Sequence, residues 1–312
     1  MSMPTVQMKP HNHSQPVQDA SPRDGEPLLD IKARIKRLDK LPPMPEMTQK
    51  ILRLSAKSDA DVKELVEVVE LDPSLASQVM RYASSPFFSY QGRIESVQTA
   101  ITRVLGFNTV MNLALGATAA RPFKIARNVP LGLDAFWRLA VYSAALVQAL
   151  SSAVPKEMRP PAGIAYLAGL LHNFGHLLLG HLFKQEFLIL NKFVSKYPDK
   201  PVELIEHRVL GTDHGMIGAW LMEAWQLPEE IVVAVREHHN ENYQEIHAVY
   251  PQLVFLADRL LKGYNIGDAV DAQVPPALLD SLGIGEYQAM TITAKIMEGC
   301  EGLDSMASSF AS

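Results

Sequence analysis

The sequence predicts an all-α fold, and three observations carry that prediction. No stretch alternates apolar and polar residues with a period of two over strand length, while apolar residues recur at three- and four-residue spacing through most of the chain. Prolines, glycines and short polar caps interrupt that pattern at helix-length intervals. At the centre, Gly163 to Phe183 (GIAYLAGLLHNFGHLLLGHLF) holds no Asp, Glu, Lys or Arg, and its apolar residues cover every side of a helical wheel. That is the pattern of a buried helix.

Residues 1–27 are rich in Pro, Ser, His, Gln and Asn without a period, the composition of a disordered arm, and His11 and His13 belong to it. Leu29, Ile31, Ile35 and Leu38 recur at near-helical spacing and predict a short amphipathic helix between Leu28 and Leu41. Leu41-Pro42-Pro43-Met44-Pro45 is held extended, because each proline biases the residue before it away from helix. Met47 to Ala56 follows as a helix, and Asp59 or Ser58 is expected to cap the next, Asp61 to Leu71. Asp72 caps a third with Pro73 at its first position, and Ser84 to Phe88 turns the chain with an aromatic plug. Ser96 caps a fourth, closed by Gly106, and a fifth runs from about Asn108 to Ala120.

Arg121 to Gly132 connects to a largely apolar helix, Leu133 to Ala153. Beyond the central segment, Val202 to Leu210 is stopped by Gly211, and Thr212 is expected to cap His214 to Trp225. Pro228 with Glu229 and Glu230 opens a helix that ends at His238-His239-Asn240, the acids matching the positive end of its dipole. Pro251 opens another, through Phe255 to Leu261. The division that follows is a 1–27 arm, a 28–121 helical part, a 122–300 helical part and a frayed end at 301–312.

A chain of 312 residues, 47% hydrophobic and 20% charged, buries a substantial core. Its net charge of −5 gives no basic footprint for nucleic acid, and Arg34, Lys36 and Arg37 read as a solvated helix face. Cys300 is the only cysteine, which leaves no intrachain disulfide and suits a reducing cytoplasm. No cationic start followed by an apolar core marks a secretory signal. Gly163 to Phe183 has the length of a membrane span, about 20 residues. Four polar side chains with no second span to shelter them argue against one.

Those four, His172, Asn173, His176 and His181, need partners, since an unpaired buried polar group costs about 1–3 kcal/mol. His172 and His176 share a face as in a zincin helix, but that chemistry needs a Glu directly after the first His. Asn173 stands there and takes no proton. Elsewhere, His214 sits in the first turn of its helix, and His238 follows Ile231 and Val235 at helical spacing. Asp258 falls between the core positions Val254 and Leu261. Histidines, an amide and an acid on the inward faces of four helices predict one shared polar pocket whose lone pairs suit a divalent transition metal.

The order His-Asn, a later His, a His-His pair and a final Asp resembles the HD superfamily of metal-dependent phosphohydrolases. Upstream, Leu41-Pro42-Pro43-Met44-Pro45, Leu71-Asp72-Pro73, Ile94 to Ile101 and Leu105-Gly106 are similar to the HDOD family, helical output modules of bacterial signalling proteins. The resemblance spans about Leu41 to Leu261 and implies an N-terminal helical subdomain packed on an HD-type helical subdomain. It also implies a ligand pattern of an early His, a His-Asp doublet, further histidines and a final Asp. Here the doublet is His172-Asn173, Leu139 stands where the early His would fall, and His214, His238 and Asp258 match the later positions. Glu206 and His239 are further candidates nearby.

An amide lacks the charge that holds a metal and activates its bound water, and a leucine has no lone pair. The set His172, Asn173, His214, His238 and Asp258 is therefore expected to be a vestigial metal pocket that holds no divalent ion tightly, with no cofactor. The resemblance then implies a non-catalytic signalling module of the bacterial cytoplasm that works through protein partners, with neither nucleic acid nor membrane. The alternative is a divergent metal-dependent phosphohydrolase acting on a nucleotide or cyclic dinucleotide through His172, His176, His214, His238 and Asp258. Asn173 is expected near His214, His238 or Asp258, and Leu139 in the space of the missing imidazole.

Overall fold

Side-chain caps set where several of the helices begin. This computed structural model describes residues 27–36, 41–55, 57, 59–85, 88 and 90–311, and among them every regular element is helical. The arm expected before residue 27 (with His11 and His13), Leu38, Arg37 and the Lys36 side chain lie outside the described residues. So do the alternative cap Ser58 and the turn residues Pro86 and Phe87.

The first part comprises α1 (Ile31–Lys36), α2 (Glu46–Ser55), α3 (Val62–Glu70), α4 (Pro73–Ala83), α5 (Val97–Thr99, continuing as a π-helical turn over Ala100–Leu105) and α6 (Phe107–Ala120). Asp61, rather than Asp59, caps α3. Its carboxylate accepts the Glu64 amide N–H at 2.9 Å, and the Glu64 carboxylate accepts the Asp61 N–H at 3.2 Å. Only Asp61 has a glutamate three residues on, so only there can the reciprocal box close. Asp72 accepts from the Ser74 and Leu75 amides ahead of α4, with Pro73 at its first position, as the sequence predicts. Leu65, Val69, Leu75, Val79 and Ile101 are buried, and α2, α3, α4 and the π-helical turn all rest on α6.

The second part comprises α7 (Leu133–Ser151), α8 (Ala162–Leu171), α9 (Phe174–Leu182), α10 (Lys184–Lys196), α11 (Val202–Leu210), α12 (His214–Ala224), α13 (Glu229–Glu237), α14 (Val249–Lys262), α15 (Pro276–Leu282), α16 (Glu286–Met297) and α17 (Cys300–Ala311). The central segment is not one helix. It breaks at His172-Asn173, where Asn173 takes φ −97° and ψ 14°, between the helical and extended regions. At the break the Gly169 carbonyl accepts the His172 imidazole N–H at 2.7 Å, so a side chain competes with the backbone for that acceptor. Residues 162–182 are long and apolar enough to cross a membrane by length and composition, and in this fold most of them are enclosed by protein. α8 lies against α6, α7, α13 and α14, and α9 against α12.

Asp213, rather than Thr212, caps α12 by accepting the Met216 N–H at 2.7 Å, because a carboxylate one residue closer reaches the third amide of the helix. Pro251 lies inside the first turn of α14, which starts at Val249. The end expected to fray at 301–312 is instead α17 as far as Ala311. Leu303, Met306 and Ala307 recur at helical spacing and are buried where α17 crosses α7 and α4. Asp304 accepts from Arg138 at 3.0 Å, and the Tyr142 hydroxyl donates to the Cys300 carbonyl at 3.0 Å. A second tie joins the halves: the Trp225 indole N–H donates to the Pro42 carbonyl at 2.9 Å, fixing the proline-rich run on α12.

Candidate metal centre

Six helices deliver polar side chains to one buried place. The α8–α9 break brings His172 and Asn173, and the first turn of α9 brings His176. α11 brings Glu206, α12 opens with His214, the end of α13 brings His238 and His239, and α14 brings Asp258. Gly175 makes the convergence possible. A Cβ there would sit 1.9 Å from the His214 carbonyl oxygen, so only glycine lets α9 approach the start of α12 this closely.

Three of the histidines have one ring nitrogen anchored and the other free to face inward. His172 Nδ1–H donates to the Gly169 carbonyl at 2.7 Å, His238 Nδ1–H to the Val235 carbonyl at 2.8 Å, and His214 Nδ1–H to the Glu206 carboxylate at 2.7 Å. Acceptors of this kind fix tautomer and orientation around metal ions. The remaining ring nitrogens then meet: His214 Nε2 lies 3.0 Å from His238 Nε2 and 3.1 Å from His239 Nε2. A tetrahedral ion with bonds of about 2.0–2.1 Å sets its ligand nitrogens about 3.3 Å apart, close to these separations. His172 Nε2 lies 3.8 Å from an Asp258 oxygen. The donor set therefore fits a divalent transition ion, with His214, His238 and His239 as its nitrogen face.

Glu206 is the hub of a second group. It is fully buried and accepts from His176 Nε2 at 2.9 Å, from His214 Nδ1 at 2.7 Å and from the His214 amide at 3.0 Å, while the two rings stack with centroids 4.1 Å apart. Burial opposes its charge, but His214 and His176 more than offset that and hold the carboxyl well below the usual range. The same burial opposes a charged His214, yet Glu206 beside it raises the imidazole to about 9. Burial lowers His172 to about 4, and burial with His239 and His214 nearby pushes His238 well below its ordinary value. Asp258 is pushed well above the carboxylate range by burial and by neighbouring Asp268. Burial works against Asp268 as well, but His239, His214, His176 and His172 hold it below that range.

Two cavities reach the cluster. One of about 340 Å3 has Leu139, Asn173, His176 and Asp268 among its walls, with Arg138, Lys200 and Lys262. A smaller one of about 50 Å3 touches His238, His239, Asp258 and Asp268.

The structure brings together His172, His214, His238 and Asp258, and the further candidates Glu206, His239 and His176 lie in the same cluster at hydrogen-bond distance of His214 or of one another. His181 lies elsewhere, edge-on to Phe123. The Asn173 amide donates to Asp268 at 3.4 Å, and Asp268 joins it to His238, His239 and Asp258 across the smaller cavity. Leu139 borders the larger cavity beside Asn173 and Asp268. Asp268 escaped the sequence reading because it sits in the loop after α14, where no period marks a face. Its one signal is the Ile266-Gly267-Asp268 run, in which Ile266 is buried and Gly267 has φ +93°.

The model of the HDOD domain family matches residues 41–241. This chain belongs to the HDOD family. A solved protein from Marinobacter aquaeolei VT8, named for signal transduction, is 35% identical with a TM-score of 0.81, covering 90% of this chain and 65% of its own. An HDOD domain protein of unknown function from Geobacter sulfurreducens (21% identical, 88% of this chain and 96% of its own, TM-score 0.70) shares the fold. So does a Shewanella amazonensis SB2B protein named for phosphohydrolase activity (19% identical, 90% and 97%, TM-score 0.67). An uncharacterized Treponema pallidum protein is 22% identical over 267 residues, 84% of this chain. The HDOD chain spans half the length of that curated relative and under two thirds of the Marinobacter one.

Proposed function

We propose that this HDOD chain is a non-catalytic signalling module of the bacterial cytoplasm that acts through contacts with protein partners. The carrying observation is the chemistry at two positions. Asn173 turns an amide N–H towards Asp268 where the superfamily doublet would present a carboxylate, and Leu139 lines the cavity with carbon where an early His would fall. Hydrolysis at such a centre needs ligand charge and an open coordination position at which water is activated. Partner contact is supported by Tyr287 and Met290, which are 85% and 57% exposed and lie three residues apart on α16, so that they share a face.

A second reading, a divergent phosphohydrolase, draws on the larger cavity, whose walls carry Arg138, Lys200 and Lys262 and whose lining includes His176. Cationic walls beside imidazoles suit a phosphate group. The two readings separate in one assay of bis(p-nitrophenyl) phosphate, nucleoside phosphates and cyclic dinucleotides with added Mn2+ or Zn2+. The module reading expects no turnover above the metal-only blank. Turnover that His172→Ala abolishes would refute it in favour of the hydrolase.

A further inference from the structure

Residues 27–36 lie ahead of the stretch that the HDOD model matches, yet they are bound into the fold beside Glu206. The last carbonyls of a helix have no donors within it. At the end of α11 two of them are answered by the N-terminal segment. Leu28 N–H donates to the Arg208 carbonyl at 3.1 Å, and Leu29 N–H to the Val209 carbonyl at 2.7 Å. Gly211 stops α11 at φ +75°, and a Cβ there would sit 3.0 Å from the Pro27 ring, so the segment lies directly over the stop. Asp30 then accepts the Ala33 N–H at 2.9 Å at the start of α1, whose Ile31 and Ile35 share a face and join the core. Arg34 pairs with Glu186 of α10 and lies 4.7 Å from the centre of the Phe183 ring. Beyond α1, the Pro42 carbonyl takes the Trp225 indole N–H at the end of α12. The N-terminal residues thus hold the ends of α11 and α12, the two helices that bring Glu206 and His214 to the cluster.

This grip is of a kind that can open. α1 has six residues, and helices shorter than about 12–15 residues are marginal alone in water, so its order comes from docking. The Arg34 side chain is 49% exposed, where ion pairs hold weakly. What the grip controls is buried. Glu206 stands two residues before Arg208 and accepts the His214 amide at 3.0 Å and its Nδ1–H at 2.7 Å, contacts that depend on where the last turn of α11 lies. His207 in that turn pairs at 2.9 Å with Asp213, the cap of α12, and ties the end of one helix to the start of the other.

We propose that residues 27–36 are a releasable strap. Docked, they hold the end of α11 and keep Glu206 on His214. Undocked, they melt, free the Arg208 and Val209 carbonyls and loosen the histidine cluster. A contact on the strap's exposed side, at Leu28, Lys32 and Arg34, is thereby felt at a buried site that it never touches.

The inference stands apart from the proposed function, since it is read in amide protons and not in turnover. Hydrogen exchange of the full chelator-treated chain, followed by NMR, compares wild type with Ile31→Asp, which drives a charge into the strap's buried face, and Arg34→Glu, which sets an acid against Glu186. Ile31→Asp is expected to speed exchange at least tenfold, and Arg34→Glu at least threefold, at residues 28–36, the last turn of α11 and the His214 amide together. α16 and α17 are expected to stay within twofold of wild type. Arg93→Glu, an exposed change outside the strap, is expected to alter none of these. Strap amides that speed up while His214 stays within twofold show a local attachment and overturn the proposal. Strap amides within twofold of wild type in both variants, or an equal rise in every helix, overturn it as well. Should Ile31→Asp not fold, Arg34→Glu decides by the same criteria.

Discussion

Glu206→Gln keeps the shape of the side chain and removes the charge on which two histidines are hung. The carboxylate takes three donors, His176 Nε2, His214 Nδ1 and the His214 amide, at 2.7–3.0 Å with no solvent access. The glutamine oxygen can still accept, but its NH2 then faces a donor, so about two charge-assisted bonds are lost at about 1.5–3 kcal/mol each. Removing one partner of a buried ion pair likewise costs about 3–5 kcal/mol. For a chain of this length that lowers the melting temperature by about 5–8 °C. Thermal denaturation of chelator-treated protein, followed by circular dichroism, measures it. A loss below about 1 kcal/mol would refute the claim that Glu206 holds His214 and His176 in place.

Gly175→Ala drives a methyl group to 1.9 Å from the His214 carbonyl, and backbone cannot rotate aside. It is expected to cost about 3 kcal/mol or more and to weaken amide-exchange protection at the start of α12. Gly218→Ala, whose nearest neighbour at 2.7 Å is a Val235 methyl, should cost less on the same scale. Metal-free protein should also lose stability in mild acid. His172 titrates at about 4 in the fold and near 6.5 when unfolded. Its contribution is full above pH 6.5, falls as pH drops through 4, and amounts to about 3 kcal/mol. His214 works the opposite way: raised to about 9, it stabilises fully below pH 6.5 and loses that contribution as pH rises through 9. Urea unfolding from pH 8 to pH 4 tests this, and His172→Gln should flatten the acid limb.

The helical class, most helix positions and the inward direction of His172, His214, His238 and Asp258 are legible in the amino-acid sequence. Those features are local: a 3.6-residue period and a cap are written in neighbouring residues, so Asp72-Pro73 and Gly211 could be read directly. Where two residues could cap, as at Asp59 and Asp61 or Thr212 and Asp213, the outcome turned on which side-chain oxygen reached a particular amide. The break at His172-Asn173 was hidden because both flanking halves are apolar, and a side-chain bond to Gly169 marks it only in three dimensions. The sequence predicts a frayed end where α17 lies, because a terminal amphipathic helix has no visible partner until α7 and α4 are in place.

That Glu206 sits between two histidines and that Asp268 faces Asn173 emerges only in three dimensions. Both depend on elements that are distant in sequence and meet only once α11, α12 and the loop after α14 have closed on α9. A loop residue has no period to betray its direction. Its role is set by the chain it folds onto, and here Gly267 and Leu139 turn it inward.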